Sequence, residues 1–294
     1  MNDSEFSGSI ARSLLVALWS TVVKQTSVWT TNSKTMKILI TGSRGFIGSH
    51  AVNFWQKMNA HEIYTYEWDE RSLPRVQGLD WVFHFGAISA TTERDVDKVL
   101  RQNYEFSIWL YKECIKHNVN LQWSSSASVY GLGRDFRESA NPDPRSPYAW
   151  SKYLFERYLE QNPSYIRTQG FRYFNVYGAN EAHKGTQASP YHQFSIQAQS
   201  VGKIKVFEGS DQMKRDFVPV ERVLEVQHEF IKQDINQSGI WNIGTGETKS
   251  FLDVAQIYAD RYNVPIETVP MPENLRASYQ YYTCADLTKL NETI

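Results

Sequence analysis

The sequence predicts an α/β fold, a doubly wound parallel sheet with a smaller C-terminal domain, and three observations carry that expectation. Short apolar runs alternate with stretches of helical periodicity between Met36 and Tyr173. A glycine-spaced turn, Gly42-Ser43-Arg44-Gly45-Phe46-Ile47-Gly48, joins the first apolar run to the first helical stretch. The second run closes on an acidic residue, Glu67.

The elements follow in order. Ile38-Leu39-Ile40-Thr41 reads as a buried strand, and residues 49–58 as a helix with Ala51, Val52, Phe54 and Trp55 turned inward. Residues 62–67 are β-prone and residues 81–87 form another buried strand. A long helix is expected over 96–117, a strand over 120–124, a helix over 148–161 and a strand over 168–173. That alternation lays parallel strands side by side, covers both faces with helices and puts ligands at the carboxyl ends of the strands. From Gly178 to Met213 the pattern breaks into polar, loop-rich sequence punctuated by Gly185, Pro190, Gly202 and Gly209. Alternation resumes at Phe217-Val218-Pro219-Val220, ahead of a helix over 221–233, and residues 246–294 carry another helix. The expected partition is a dinucleotide-binding domain over 36–178 plus 217–245 and a substrate-binding domain over 179–216 plus 246–294. Residues 1–35 read as an extension outside the fold.

Composition excludes several classes. With 294 residues, 41% hydrophobic and 14% aromatic, the chain buries a substantial core. A formal net charge of -1 supplies no general field for nucleic acid or an anionic membrane, so neither is an expected partner. Cys114 and Cys284 lie far apart and match no metal spacing, which reads as reduced thiols in a cytoplasmic protein without zinc or any other metal. The apolar run at 14–23 is too short to span a bilayer, and Asp3 and Glu5 stand where a signal peptide needs positive charge.

Gly42, Gly45 and Gly48 let the backbone turn tightly, approach a pyrophosphate and seat a helix close on its strand, with that helix's first N–H groups aimed at the phosphates. This is the Rossmann-like arrangement, and it implies a nicotinamide dinucleotide. Glu67 favours a free ribose 2′-hydroxyl, whereas Arg44 inside the turn suits a 2′-phosphate. The expected cofactor is NADP, with NAD the alternative.

Tyr148 and Lys152, four apart, share one helix face, so the ammonium can hold the cofactor ribose and lower the phenol's pKa while the phenolate takes a proton from a substrate hydroxyl. Ser126, in the serine-rich end of a strand, can hydrogen-bond the same oxygen. A Tyr and a Lys four apart are ordinarily a surface pair; the glycine turn upstream turns them into a hydride-transfer site. Lys184, within His183-Lys184-Gly185, adds a second proton-handling group, and two such groups suit inversion of a carbinol through oxidation and reduction from opposite faces.

Residues 41–48, the 124–131 segment and Tyr148-x-x-x-Lys152 resemble the extended short-chain dehydrogenase/reductase superfamily, the NAD-dependent epimerases and dehydratases. Gly86-Ala87-Ile88-Ser89-Ala90, Phe171 to Gly178, His183-Lys184-Gly185, Phe207-Glu208-Gly209-Ser210, Lys214-Arg215-Asp216-Phe217 and Ala285-Asp286-Leu287-Thr288 narrow the likeness to the ADP-L-glycero-D-manno-heptose 6-epimerase family. The resemblance runs from Met36 nearly to the end. It implies an isomerase of carbohydrate metabolism that supplies lipopolysaccharide core sugar, takes a nucleotide-sugar substrate and forms a homo-oligomer. It implies Tyr148 and Lys184 as the two acid/base groups, with Ser126 assisting and Lys152 on the cofactor. Phe46, Ile47, Gly86, Ala87, Ile88, Ser89, Ala90, Asn103 and Val176 would line the cofactor. Asn175, Thr186, His192, Phe207, Glu208, Gly209, Ser210, Arg215 and Tyr279 would meet the sugar nucleotide, Arg215 through a guanidinium fork on the diphosphate and Tyr279 through its ring.

The chain departs from that pattern in places. The stretch between Glu67 and Trp81 is short and lacks the third strand that usually lines the adenine pocket. Ala179-Asn180 stands for Pro-Arg, Gln193 stands where a histidine is expected with His192 one position earlier, and the usual final helix is missing before Ile294. A UDP-hexose 4-epimerase shares the fold and Tyr148 without needing Lys184, and a cofactor-binding sensor without turnover is the reading from another class. A 4,6-dehydratase is disfavoured because Ser126-Ala127-Ser128 lacks an acidic pair.

Overall fold

The computed structural model describes residues 35–58, 61–86, 88–273 and 279–294. The expected extension lies outside them apart from Thr35.

The main sheet has six parallel strands in the order β10-β5-β4-β3-β1-β2. They are β1 (Met36–Thr41), β2 (His61–Tyr66), β3 (Trp81–His84), β4 (Asn120–Ser126), β5 (Thr168–Tyr173) and β10 (Gly239–Ile243). Alternation within each strand explains why helices cover both faces. Leu39, Val82, Leu121 and Trp123 pack on one side with Phe106, Leu110, Tyr111 and Phe155. Those partners come from α2, which runs Val96–Val99, Leu100–Glu105 and Phe106–His117, and from α3 (Pro147–Gln161). On the other side Ile38, Ile40, Trp81 and Phe83 pack on Ala51 and Trp55 of α1 (Phe46–Lys57) and Leu224 of α5 (Val220–Lys232). Nine-tenths-buried aliphatic and aromatic side chains on both faces of a strand are the mark of a parallel sheet.

The chain leaves β1 outward to β2 and then returns to β3, so the sheet reverses direction between β1 and β3. Crevices open at such reversals, beyond the carboxyl ends of the strands. Here the backbone is tight: a Cβ on Gly42 would stand 2.5 Å from the Gly86 Cα, which is why glycine occupies both sides.

The helix expected over 96–117 is continuous, but its second turn, Leu100–Glu105, is π-helical and carries the buried Asn103. Single π turns inside α-helices often mark functional positions. Among the described residues no strand lies between β2 and β3, only an isolated Asp69–Ser72 bridge, so β2 is the sheet edge.

The 178–213 region differs from the loop-rich expectation. It holds α4 (Pro190–Val201) and β7 (Ile204–Phe207). Ser189 caps α4 by accepting the His192 N–H, Pro190 takes the first turn and left-handed Gly202 ends it. Only Phe194 and Ala198 are buried on this helix, one apolar pair among glutamines and serines, and that hid the periodicity. Together with α6 (Phe251–Tyr262), β9 (Phe217–Pro219) and β12 (Ile266–Val269), which pairs with β7, α4 builds a second core of Phe194, Ile204, Val206, Phe217, Val254 and Ala255. Small sheets join the two layers: β6 (Asn175–Tyr177) with β9, and β8 (Lys214–Arg215) between β11 (Lys249–Ser250) and β13 (Tyr282–Thr283). A short α7 (Thr288–Thr293) places Leu290 in the main core and takes the Trp241 indole N–H on Thr293, where no final helix was expected.

Candidate active site

The glycine turn ends β1 and starts α1. Gly42 is left-handed at φ 71°, and a Cβ on Gly48 would fall 2.0 Å from the Gly42 carbonyl oxygen, so the helix can seat this close only on glycine. Gly45 caps α1 without any side-chain hydrogen bond, and the first turn holds no acidic residue. The leading N–H groups are therefore available to an anion, which is what a dinucleotide's pyrophosphate needs. Glu67, just past β2, folds back on the turn: its Oε1 accepts the Arg44 N–H at 2.5 Å and the Ser43 hydroxyl at 2.8 Å. The Arg44 residue is exposed.

Across the crevice Asn103 clamps the loop after β3. Its Oδ1 accepts the Ile88 N–H at 2.8 Å and its Nδ2 donates to the Ile88 carbonyl at 2.9 Å, while also reaching Ser151 of α3. Gly86, Ile88 and Ala90 are half-buried and Ser89 is exposed on this loop; Ala87 lies outside the described residues. Beneath it, His84 bridges Thr41 at 2.7 Å and Ser107 at 2.9 Å. Ser107 donates to the Asn103 carbonyl, so its oxygen accepts from His84 Nε2 and leaves Nδ1 to accept the Thr41 hydroxyl. Burial, assisted by the charge of Lys152, lowers the His84 pKa to about 3, and the ring stays neutral.

Ser146 caps α3 and Pro147 occupies its first position, which fixes Tyr148 in the opening turn and Lys152 one turn below. Burial raises the Tyr148 pKa, and the neighbouring Ser126 hydroxyl works against that rise. Lys152 Nζ donates to the Ser124 carbonyl at 2.8 Å and lies 6.0 Å from the Tyr148 ring centroid. Burial lowers its pKa to about 7, against the opposing charge of Glu156. Lys152 thus lies one helical turn beyond Tyr148 on the same face of α3.

Lys184 lies in a 3-10 turn (Ala182–Gln187) after β6. Its Nζ stands 4.5 Å from the centroid of Phe46, the first residue of α1, and 2.9 Å from Glu181 Oε2. The second amine is therefore at the glycine turn, although none of its hydrogen bonds runs to Tyr148 or Ser126. Phe46 is buried, and Ile47 and Val176 are half-buried nearby in the main core.

A cavity of about 380 Å³ opens between α4, β7 and α6. Thr186, Phe207, Ser210 and Tyr279 line it, joined by Gln193, which stands where a histidine is expected, and by Gln197, Lys205, Met213 and Phe251, which no sequence motif singles out. Gln193, not His192, faces the cavity, and its Nε2 donates to the Gly185 carbonyl at 2.7 Å. On a helix adjacent residues point about 100° apart, so the one-position offset turns His192 away. Glu208 and Gly209 are exposed on the turn after β7 and off the cavity wall. Arg215 is held between the Tyr279 and Phe251 rings at 5.4 and 5.5 Å. Its two terminal nitrogens donate to the Lys214 and Gln280 carbonyls, so the fork is directed at backbone, and burial lowers its pKa. Asn175 donates to the Asp216 carbonyl at 3.3 Å and to Thr283 at 3.2 Å, bracing the two layers.

An open helix N-terminus at a sheet reversal, with a serine, a tyrosine and a buried lysine across the crevice, is the site of a nicotinamide-dependent enzyme. Residues 38–244 match the NAD dependent epimerase/dehydratase family, and the chain belongs to it. A curated relative, the ADP-L-glycero-D-manno-heptose-6-epimerase of Brachyspira hyodysenteriae, is 35% identical over 86% of this chain and 90% of its own. Among solved structures, the ADP-L-glycero-D-manno-heptose-6-epimerase of Helicobacter pylori superposes with a TM-score of 0.73 at 24% identity, covering 87% of this chain and 94% of that one. The UDP-N-acetylglucosamine 4-epimerase of Methanobrevibacter ruminantium superposes with 0.77 at 20% identity, over 89% and 92%. All three relatives are named as epimerases. Among the described residues no helix is long and apolar enough to cross a membrane, and no cluster of three or more potential metal ligands occurs.

Proposed function

We propose that the protein inverts the exocyclic carbinol of an ADP-glycero-manno-heptose, as its 35%-identical relative is named for doing. The observation that carries this reading is the position of Lys184, whose ammonium rests on Phe46 at the cofactor turn and so supplies a second proton-handling group besides Tyr148. A UDP-hexose 4-epimerase needs only the first.

The nicotinamide supplies a reversible hydride acceptor when bound. The α1 N-terminus and the glycine turn hold the pyrophosphate, while the Asn103-clamped loop and Val176 flank the rest. Glu67, fixed on the Arg44 N–H beside the glycine turn, supports NAD over NADP, since a carboxylate there would accept a ribose hydroxyl and repel a 2′-phosphate. Tyr148, supported by Ser126, takes the hydroxyl proton of one epimer, and Lys184 hands a proton to the ketone oxygen once the sugar has turned its other face. The cavity beside Phe207 and Tyr279 accommodates the nucleotide, with residues 179–216 and 246–294 as the substrate domain.

Purified protein given a single 6-epimer of ADP-heptose is expected to produce the other, and UDP-glucose is expected to stay unchanged. Inversion of UDP-glucose alone supports the 4-epimerase, and cofactor binding with inversion of neither supports a sensor. In thermal-shift titrations NAD is expected to stabilise the cofactor-stripped protein at concentrations at least tenfold below NADP; the reverse order rejects the role given to Glu67.

A further inference from the structure

We propose that Glu181 is the positioning residue for Lys184: a buried carboxylate that fixes where the ammonium stands during the reaction. The inference rests on the reading of Lys184 as the second proton-handling group. Glu181 is fully buried, three residues before Lys184. Its Oε1 accepts the Gly178 N–H at 3.1 Å and the Ser189 hydroxyl at 2.7 Å. Its Oε2 accepts the Ser189 N–H at 2.7 Å and the Lys184 ammonium at 2.9 Å.

These partners come from different places in the fold. Gly178 follows β6, Ser189 caps α4 whose next turn presents Gln193 to the cavity, and Lys184 lies between them. A carboxylate braced by three neutral donors cannot follow a mobile lysine, so the lysine is placed by it. A lysine stem is otherwise flexible, and a proton donor must meet its oxygen within hydrogen-bond reach. Phe46 closes the other side of the ammonium at 4.5 Å. Gly185, left-handed at φ 53° and bonded through its carbonyl to Gln193, turns the chain immediately after the lysine. Gly178, Lys184 and Ser189 are thus tied to one buried carboxylate that does not line the cavity.

The test uses holoenzyme mixed rapidly with each pure 6-epimer of ADP-heptose, read by the absorbance of the reduced nicotinamide. One epimer is oxidised through Tyr148 and the other through Lys184. Glu181→Gln, near-isosteric and uncharged, is expected to slow the Lys184-dependent direction about 100-fold, the cost of a misplaced group. It should leave the first-turnover oxidation of the other epimer within about threefold, the split being read in these half-reactions because overall turnover in the two directions is bound to change together. Glu181→Asp should recover about tenfold of the lost rate, since it returns the charge. On a Lys184→Ala background Glu181→Gln should cost less than about threefold more, because the two act as a unit. Equal slowing of both directions, or an undiminished cost on that background, overturns the proposal and leaves Glu181 a loop brace. Ser189→Ala removes the α4 cap and one of the donors to Glu181 but leaves the carboxylate on Lys184, so it should lower the melting temperature without splitting the two directions. Should Glu181→Gln not fold, Glu181→Asp against wild type reads the same split on a smaller scale, and no split there overturns the proposal. A Lys184→Ala enzyme that slows both epimers equally rejects the reading of Lys184 itself, whereas a split in Lys184→Ala without one in Glu181→Gln rejects only the positioning role.

Discussion

At the scale of single residues, the site depends on two side chains whose ionisation burial disturbs in opposite chemical senses. Tyr148 is made a weaker acid by burial and partly relieved by Ser126, so a catalytic role requires further help from substrate or cofactor contacts. Tyr148→Phe is expected to lower kcat by a factor on the order of 10²–10⁴ while cofactor binding, followed by fluorescence, stays near wild type. Lys152 has its pKa lowered to about 7 from the model-compound value of 10.5. The unfolded chain therefore binds more protons than the native one between those values, and stability rises with pH across that window. The cost of the buried ammonium is complete below about 7 and fades as pH climbs. Lys152→Met should thus gain more stability over wild type at pH 6 than at pH 9 in cofactor-free urea unfolding; an equal gain at both values contradicts the assignment. The glycine turn and Tyr148-x-x-x-Lys152 were legible because their geometry is local, fixed by a turn and one helical period. Glu181 was not, since its importance comes from partners supplied by the residue after β6, the α4 cap and the intervening loop. The three-residue spacing of Glu181 and Lys184 was the available signal.

At the scale of elements, the strands and helices of the sheet were readable where they bury apolar stripes or runs, as β1, β3 and α1 do. Thr168–Tyr173 is buried along its whole length, and its expected bounds match. Helix α4 escaped notice because its inward face is only Phe194 and Ala198, and its caps Ser189 and Gly202 resembled loop punctuation. The junction of β1 with α1 makes a sharp demand: Gly48→Ala would drive a Cβ to 2.0 Å from the Gly42 oxygen and 2.7 Å from its carbonyl carbon, both backbone. A loss of about 1–3 kcal/mol in unfolding free energy is expected, together with weakened dinucleotide binding by calorimetry. Wild-type stability with intact binding would show that the turn does not need its glycine there. The 178–189 loop has its own acid signature. Desolvation raises the Glu181 pKa, but the Ser189 N–H and hydroxyl and the Lys184 ammonium together lower it below its ordinary value of 4.5. A depressed carboxylate stabilises the native state above its unfolded pKa and stops doing so as pH falls through the native one. Amide exchange in this loop should therefore accelerate below about pH 4.5 in wild type. In Glu181→Gln that acid step should disappear.

At the scale of the whole molecule, the six-stranded sheet and the layer built around α4 and α6 are joined by a buried carboxylate. Asp216 accepts the Thr245 N–H and hydroxyl, the Gly246 N–H and the Ala285 N–H. Its own backbone links Asn175 to Thr283. Asp216→Ala removes the acceptor of all four donors, the buried Ala285 N–H among them, and should cost about 3 kcal/mol in urea unfolding. A smaller loss would mean that the layers are held chiefly by apolar packing around Phe217. The joint matters because the proposed reaction needs one layer to hold the cofactor still while the other lets the sugar turn. The most direct measurement follows ADP-heptose by NMR in deuterated water as its exocyclic centre inverts. The hydrogen on the inverted carbon is expected to stay protium throughout, because it leaves that carbon and comes back without meeting solvent. Deuterium appearing there at the rate of inversion would contradict the oxidation and return, and would assign the inversion to a carbanion instead.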